Sequence, residues 1–159
     1  MHPDCDPRFL EKLKPLPSLL HQLVSSPATS PLALPPSVSG PGVYLFSEQG
    51  ADLYVGRTRN LRRRIRQHAN VGSSHRVAAF AFRLAREATG HLSATYSTEG
   101  SRDDLSNNLE FAAALVKQKV RIHSMTVRTI AIEDDLTQCL FEIYAATVLS
   151  TRHNTFRTH

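Results

Sequence analysis

Six arginines, Arg57, Arg59, Arg62, Arg63, Arg64 and Arg66, fall within ten consecutive residues. Guanidinium groups this dense repel one another, and their planar forks match phosphate oxygens bidentately, so a phosphate backbone is the natural partner of the run. The plainer alternative is a solvated helix face. Arg64 differs from its neighbours: it stands between the apolar Leu61 and Ile65 and one turn from His68, which leans it inward, whereas Arg62, Arg63 and Arg66 face out. Upstream, Tyr44 and Tyr54 sit in two short strand-like runs. A side-chain period of two puts Tyr44 and Phe46 on one face and Val43 and Leu45 on the other, and a pairing of Tyr44 with Tyr54 would set two phenols side by side. Strand aromatics are as a rule packing residues. Gly56, where the second run ends, would let a ligand approach the backbone.

Composition bounds the rest. The chain has 159 residues, 41% hydrophobic and 21% charged, with a formal charge of +5. That suits one folded domain plus an appendage and argues against a disordered polymer. No stretch approaches the roughly 18 apolar residues a bilayer span needs, and the acidic start is unlike a secretory signal, so membrane insertion and export are not expected. Cys5 and Cys139 make no CxxC or Cys/His spacing, which points away from a disulfide framework or structural zinc and toward a reducing cytoplasm. No P-loop or GxGxxG occurs, and no HExxH or i,i+4 histidine pair is present. The positive balance makes a polyanion a reasonable partner, although mild excess charge also serves solubility.

All 9 prolines lie at or before Pro41 and all 7 glycines at or after Gly40. This composition change predicts a boundary, with an N-terminal extension over 1–39 and the main domain over 40–159. Within the extension, Pro7 to Val24 has helical apolar spacing that Pro15 and Pro17 would interrupt, and Ser25 to Ser39 reads as a semi-extended linker. In the domain, Val43–Phe46 and Leu53–Gly56 predict an antiparallel hairpin. Asn60 can cap a helix carrying Leu61, Ile65 and His68; Ser73 and Ser74 can cap another that stops at Gly90. Asp103 to Val120 predicts a third helix with Leu105, Leu109, Ala112, Ala113 and Val116 on one face. A third strand comes next, over about Ser124 to Ile132, then a last helix opened by Asp135 and Gln138 as a capping box. Leu92 to Arg102 is either a strand edge or a loop. The order predicts an α+β fold, a small three-stranded antiparallel sheet flanked by helices.

Gly42-Val43-Tyr44, then Tyr54-Val55-Gly56, then Asn60-Leu61-Arg62-Arg63-Arg64 with His68 beyond, resembles the GIY-YIG endonuclease signature. The Phe141-Glu142-Ile143-Tyr144-Ala145 helix and His153-Asn154 are similar to the acidic and asparagine motifs of the same family. Both tripeptides carry Val where the family name has Ile. The resemblance covers about Gly40 to Asn154 and says little about Ser73 to Arg121.

The resemblance implies a metal-dependent endonuclease acting on DNA, with catalytic Tyr44, Tyr54, Arg64, His68, Glu142 and Asn154. Glu142 would be the single acidic ligand of Mg²⁺ or Mn²⁺, a hard cation that keeps several waters while meeting the substrate phosphate. Tyr44 would be the general base or would orient the attacking water. Since a free phenol has a pKa near 10, a base role requires positive charge nearby, which Arg57, Arg64 and His68 could supply. Arg64 would grip the scissile phosphate, Tyr54 and His68 would position water or phosphate, and Asn154 would tie the last loop to the site. Arg57, Arg59, Arg62, Arg63 and Arg66 would hold the nucleic-acid backbone. The competing reading is a catalytically silent nucleic-acid-binding module of the same fold. A single metal site cuts one strand per engagement, so a duplex break would need two subunits or two visits.

Overall fold

A computed structural model describes residues 6–91 and 99–156. Gly42–Glu48 (β1) and Ala51–Thr58 (β2) form the expected antiparallel hairpin, turned by Gln49 and Gly50, both at positive φ. Thr126–Ala131 (β3) pairs antiparallel on the other side of β1, giving the sheet order β2-β1-β3. The sheet is therefore the three-stranded antiparallel one that the pattern predicts, flanked by helices.

β1 is central and covered on both faces, and its period of two sorts side chains into two cores. Tyr44, Phe46 and Tyr54 pack with Leu61 and Ile65 of Leu61–Ala69 (α3), Phe80 and Leu84 of Ala79–Thr89 (α4), and Phe111 and Ile122 of Leu109–His123 (α6). Val43, Leu45 and Val55 pack on the opposite face with Phe141 and Ala145 of Asp135–Val148 (α7). Leu16 and Leu23 of Leu16–Ser25 (α2) join that second core. Burying an aromatic or large aliphatic side chain contributes about 1.5–3 kcal/mol, so both faces add to the hold on the central strand. Gly42 is fixed by the same crowding: a β-carbon there would overlap the Ile130 carbonyl oxygen of β3 and press on Leu61 of α3.

Several local expectations change. The N-terminal helix is, as its prolines predict, interrupted, giving Pro7–Leu13 (α1) and α2 on either side of Pro15. The Pro- and Ser-rich stretch after α2 is extended but packed: Thr29 and Val127 exchange backbone hydrogen bonds of 3.0 and 2.9 Å, and Leu34 and Val38 enter the first core. The composition change at Gly40 thus does not coincide with a break in packing. Asn60 caps α3 as expected, accepting from the Arg63 amide at 2.9 Å, and Gly90 ends α4 in the left-handed region. Ser73 and Ser74 do not cap α4, which starts after Ala78; Ser73 instead donates to the Gln67 and Asn70 carbonyls.

The long third helix is two helices, Arg102–Asn107 (α5) and α6, because the Asn108 side chain accepts from the Phe111 amide at 3.0 Å and starts a new N-terminus. That reset rotates the buried face. Leu109 and Val116, expected inside, are 89% and 44% exposed, and the face turned inward carries Phe111, Leu115 and Ile122. At α7 the cap is Asp134, which accepts from the Thr137 amide at 2.8 Å; Gln138 donates to the Ile132 carbonyl at 2.7 Å rather than completing a box with Asp135. Of the ambiguous Leu92 to Arg102 stretch, 92–98 lie outside the described residues, and Glu99 and Gly100 form a turn leading into α5.

Candidate active site

The strand ladder sets the two tyrosines diagonally rather than face to face. Tyr44 lies across from Gly56 and Tyr54 across from Phe46, because the hairpin turn fixes the register. Both remain on one face, with ring centroids 6.3 Å apart. Gly56 also has a different use from the one expected. A β-carbon at Gly56 would overlap the Tyr44 hydroxyl and ring, so the glycine makes room for the chain's own phenol.

α3 brings His68 under this pair. Its Nε2 is 2.8 Å from the Tyr44 hydroxyl, its ring packs between Phe46 and Phe80, and its buried Nδ1 has no hydrogen-bond partner among the described residues. Burial, reinforced by the charge of Arg64, lowers the imidazole to about 3. His68 is therefore neutral and, contrary to expectation, supplies no positive charge to Tyr44. Burial also holds the Tyr44 phenol well above its ordinary value, with Tyr54 adding to the rise and Arg64 opposing it. Tyr54 is raised by burial too, opposed chiefly by Arg83.

Arg64 leans inward as its position predicts. Its Nη1 donates to the Val77 carbonyl at 2.8 Å, and its charge acts on the Tyr44 phenol. From the far side of the sheet, α7 delivers Glu142 past β2, where Arg57 Nε donates to Glu142 Oε2 at 3.2 Å. The Glu142 side chain is 22% exposed. Burial raises its carboxyl above the usual range, against the opposing charges of Arg57, Arg83 and Arg64. Asn154 closes the rim: Oδ1 accepts from the Val55 amide and Nδ2 donates to the Val55 carbonyl, both at 2.8 Å, while Thr151 donates to Oδ1.

The basic run disperses. Arg57 faces Glu142, Arg59 pairs with Asp135 at 2.7 Å, and half-buried Arg62 turns back onto the Leu34 and Pro35 carbonyls instead of facing solvent. Arg63 and Arg66 point outward as expected, beside an open depression of about 370 Å³ that Asn60, Gln67 and Asn70 also line. Arg83 was not anticipated. It stands 5.8 Å over the Tyr54 ring, donates to the His153 carbonyl and contributes charge at Glu142. Within the amphipathic α4 pattern nothing distinguishes an arginine that turns toward the sheet from one that faces water.

The family model for the GIY-YIG catalytic domain matches residues 40–109. Residues 40–109 are similar to that domain. The matched segment takes in Tyr44, Tyr54, Arg64 and His68, while Glu142 and Asn154 lie beyond it. Among solved structures the chain is similar to the GIY-YIG N-terminal endonuclease domain of UvrC from Thermotoga maritima, a tyrosine-to-phenylalanine point mutant bound to its catalytic divalent cation. Identity is 13% and the TM-score 0.40, over 87% of this chain and 96% of that one. No curated protein matches the chain. Among the described residues no helix is long and apolar enough to cross a membrane.

Proposed function

We propose that this protein is a metal-dependent endonuclease that hydrolyses DNA phosphodiester bonds at a pocket built from Tyr44, Tyr54, Arg64, His68 and Glu142, with Asn154 holding the rim. One observation carries the reading: groups from β1, β2, α3, α4 and α7 meet in a single electrostatic environment. The Glu142 carboxyl senses Arg57, Arg83 and Arg64, and both phenols sense Glu142 and Arg64. DNA is the partner on this reading and a reducing cytoplasm its setting.

Hydrolysis requires a phosphate held in place, a water aimed at phosphorus and positive charge where negative charge develops. Arg64, anchored on the Val77 carbonyl, would present its remaining N–H groups to a nonbridging phosphate oxygen. Losing one such donor costs on the order of 10² to 10³ in rate. Tyr44 enters as a neutral phenol hydrogen-bonded beside a neutral imidazole, so in the free protein its hydroxyl would orient water rather than remove a proton. Tyr54, under the Arg83 guanidinium, would fix the second side of that water.

The donor set fits Mg²⁺ or Mn²⁺. No group of three His, Cys, Asp or Glu assembles among the described residues, and Glu142 offers one partly exposed carboxylate among hydroxyl groups. Hard divalent ions bind through one or two carboxylates and fill their other positions with water and substrate oxygen. Such an ion, when bound, supplies positive charge to the phosphate and acidifies water.

A silent binding module has a specific observation in its favour, the Arg57 guanidinium lying on a Glu142 carboxylate oxygen. Incubation of the full chain with supercoiled plasmid and Mg²⁺ separates the two. Nicked or linear product that vanishes with EDTA and with Glu142→Ala is expected. The same cleavage by Glu142→Ala would refute the assignment, and salt-sensitive binding without turnover, unchanged by Glu142→Ala, would select the silent module.

A further inference from the structure

We propose that Arg83, Arg86 and Arg102 form a cationic track that grips the nucleic-acid backbone beside the scissile phosphate, so that the strand crosses α4 and the start of α5. This rests on the nuclease reading above and adds where its substrate lies.

Like charges are gathered here. The Arg102 guanidinium carbon lies 4.5 Å from the centre of the Phe82 ring and that of Arg86 5.3 Å from the same centre. Phe82 is 2% exposed, so the ring is no platform for a base; it holds two guanidiniums in place. Arg83, next in sequence and a quarter-turn or so around the helix, reaches Tyr54 and links this pair to the candidate site.

The hydrogen bonding of the pair is weak for such strong donors. Among the described residues Arg86 Nε is buried with no partner, and its Nη2 meets the Gly100 carbonyl at 3.3 Å. Arg102 reaches the Arg76 carbonyl at 3.5 Å. Asp103 pairs with His75 and Arg76, and Glu87 with Arg152. Arg102 is held below the ordinary guanidinium range by burial and then by Arg86, Arg83 and Arg64, which is the field such a cluster should produce. All four arginines are half-buried and keep solvent-facing surface. Gathering positive charge on apolar and aromatic support is costly in isolation, and a polyanion laid across it offsets that cost. The basic run around α3 contrasts with this, since Arg57 and Arg59 pair with carboxylates and Arg62 turns onto backbone carbonyls.

The test is the salt dependence of binding a fluorescein-labelled DNA duplex to the full chain in EDTA, where no cleavage intervenes. Arg86→Gln with Arg102→Gln should flatten the log–log slope by about 1.8, two phosphate contacts at about 0.9 each. Arg86→Lys with Arg102→Lys should keep the wild-type slope, which separates lost charge from lost packing. Arg8→Gln with Lys12→Gln, removing equal charge from α1, should leave the slope nearly unchanged. The inference is overturned if the Arg86/Arg102 glutamine pair flattens the slope no more than that control, or if the lysine pair flattens it equally. If the wild-type chain cleaves plasmid with Mg²⁺ in such a case, only the track is lost. If the wild type neither binds nor cleaves, the nuclease reading falls with it.

Discussion

The Tyr44 phenol occupies the space that a β-carbon at Gly56, its partner across the β1–β2 ladder, would need. Gly56→Ala must therefore displace the ring, and with it the 2.8 Å contact to His68. Overpacking of this kind typically costs about 1–3 kcal/mol. Cleavage should fall along with stability, because the hydroxyl leaves its place. Urea unfolding of Gly56→Ala, Tyr44→Ala and the double variant checks the cause: with the phenol gone, the alanine should cost little or nothing. An equal cost in both backgrounds would show that the clash is not the mechanism.

His68 makes stability depend on pH. In the folded chain its pKa is about 3, and unfolded it returns to about 6.5. Below about pH 6.5 the unfolded chain takes up a proton that the folded chain refuses. The contribution is thus fully present above 6.5 and is lost as pH falls toward 3, with a slope approaching about 1.4 kcal/mol per pH unit. His153, lowered to about 4 by burial first, adds to the same acid-side loss. Denaturation midpoints between pH 7 and pH 4 should fall more steeply in the wild type than in His68→Gln, which retains a hydrogen-bonding group for the Tyr44 hydroxyl. Parallel curves would exclude His68 as the titrating group.

The parts of the fold that sequence makes legible are those set by short-range patterns. Alternation in Val43–Phe46, the Asn60 cap and the left-handed stop at Gly90 each act over a few residues, and the strands and α3 arise from them. What escaped depends on phase or distance. Asn108, a single side chain accepting one amide hydrogen bond, resets α6 and turns Leu109 out to water. The register of the hairpin, which assigns Tyr44 to Gly56, is decided by the turn and not by the alternation itself. Arg62 looks like any outward arginine until the Leu34–Pro35 segment folds back upon it. Arg83, Arg86 and Arg102 share a patch only because α5 starts beside α4, a juxtaposition that no local spacing encodes.

Glu142 should set the acid limb of activity. Burial raises its carboxyl, while the charge and hydrogen bond of Arg57 pull it down. Removing Arg57 leaves the raising cause less opposed, so the carboxyl is protonated at higher pH and the limb of a kcat/KM–pH profile should move upward in Arg57→Ala. At low pH this variant loses activity relative to the wild type. At high pH, where Glu142 is ionised in both, the release of its Oε2 should lower the Mg²⁺ concentration needed for half-maximal rate. An acid limb unmoved by Arg57→Ala would mean that another group controls it.

Asn154 acts on the outer edge of the hairpin, where β2 pairs with no further strand among the described residues. Its amide substitutes for one, accepting from the Val55 N–H and donating to the Val55 carbonyl, and Val55 itself is fully buried. Asn154→Ala leaves both groups without a partner at a place water reaches poorly, a loss of about 1–3 kcal/mol. Asn154→Asp retains the acceptor for the Val55 amide but sets a carboxylate oxygen against the Val55 carbonyl. Hydrogen exchange distinguishes the two: the Val55 amide should exchange much faster in Asn154→Ala and stay protected in Asn154→Asp, although both variants melt below the wild type. Fast exchange in both would assign the rim to Thr151 and the His153 backbone, which donates to Leu53 at 3.0 Å, and not to the asparagine.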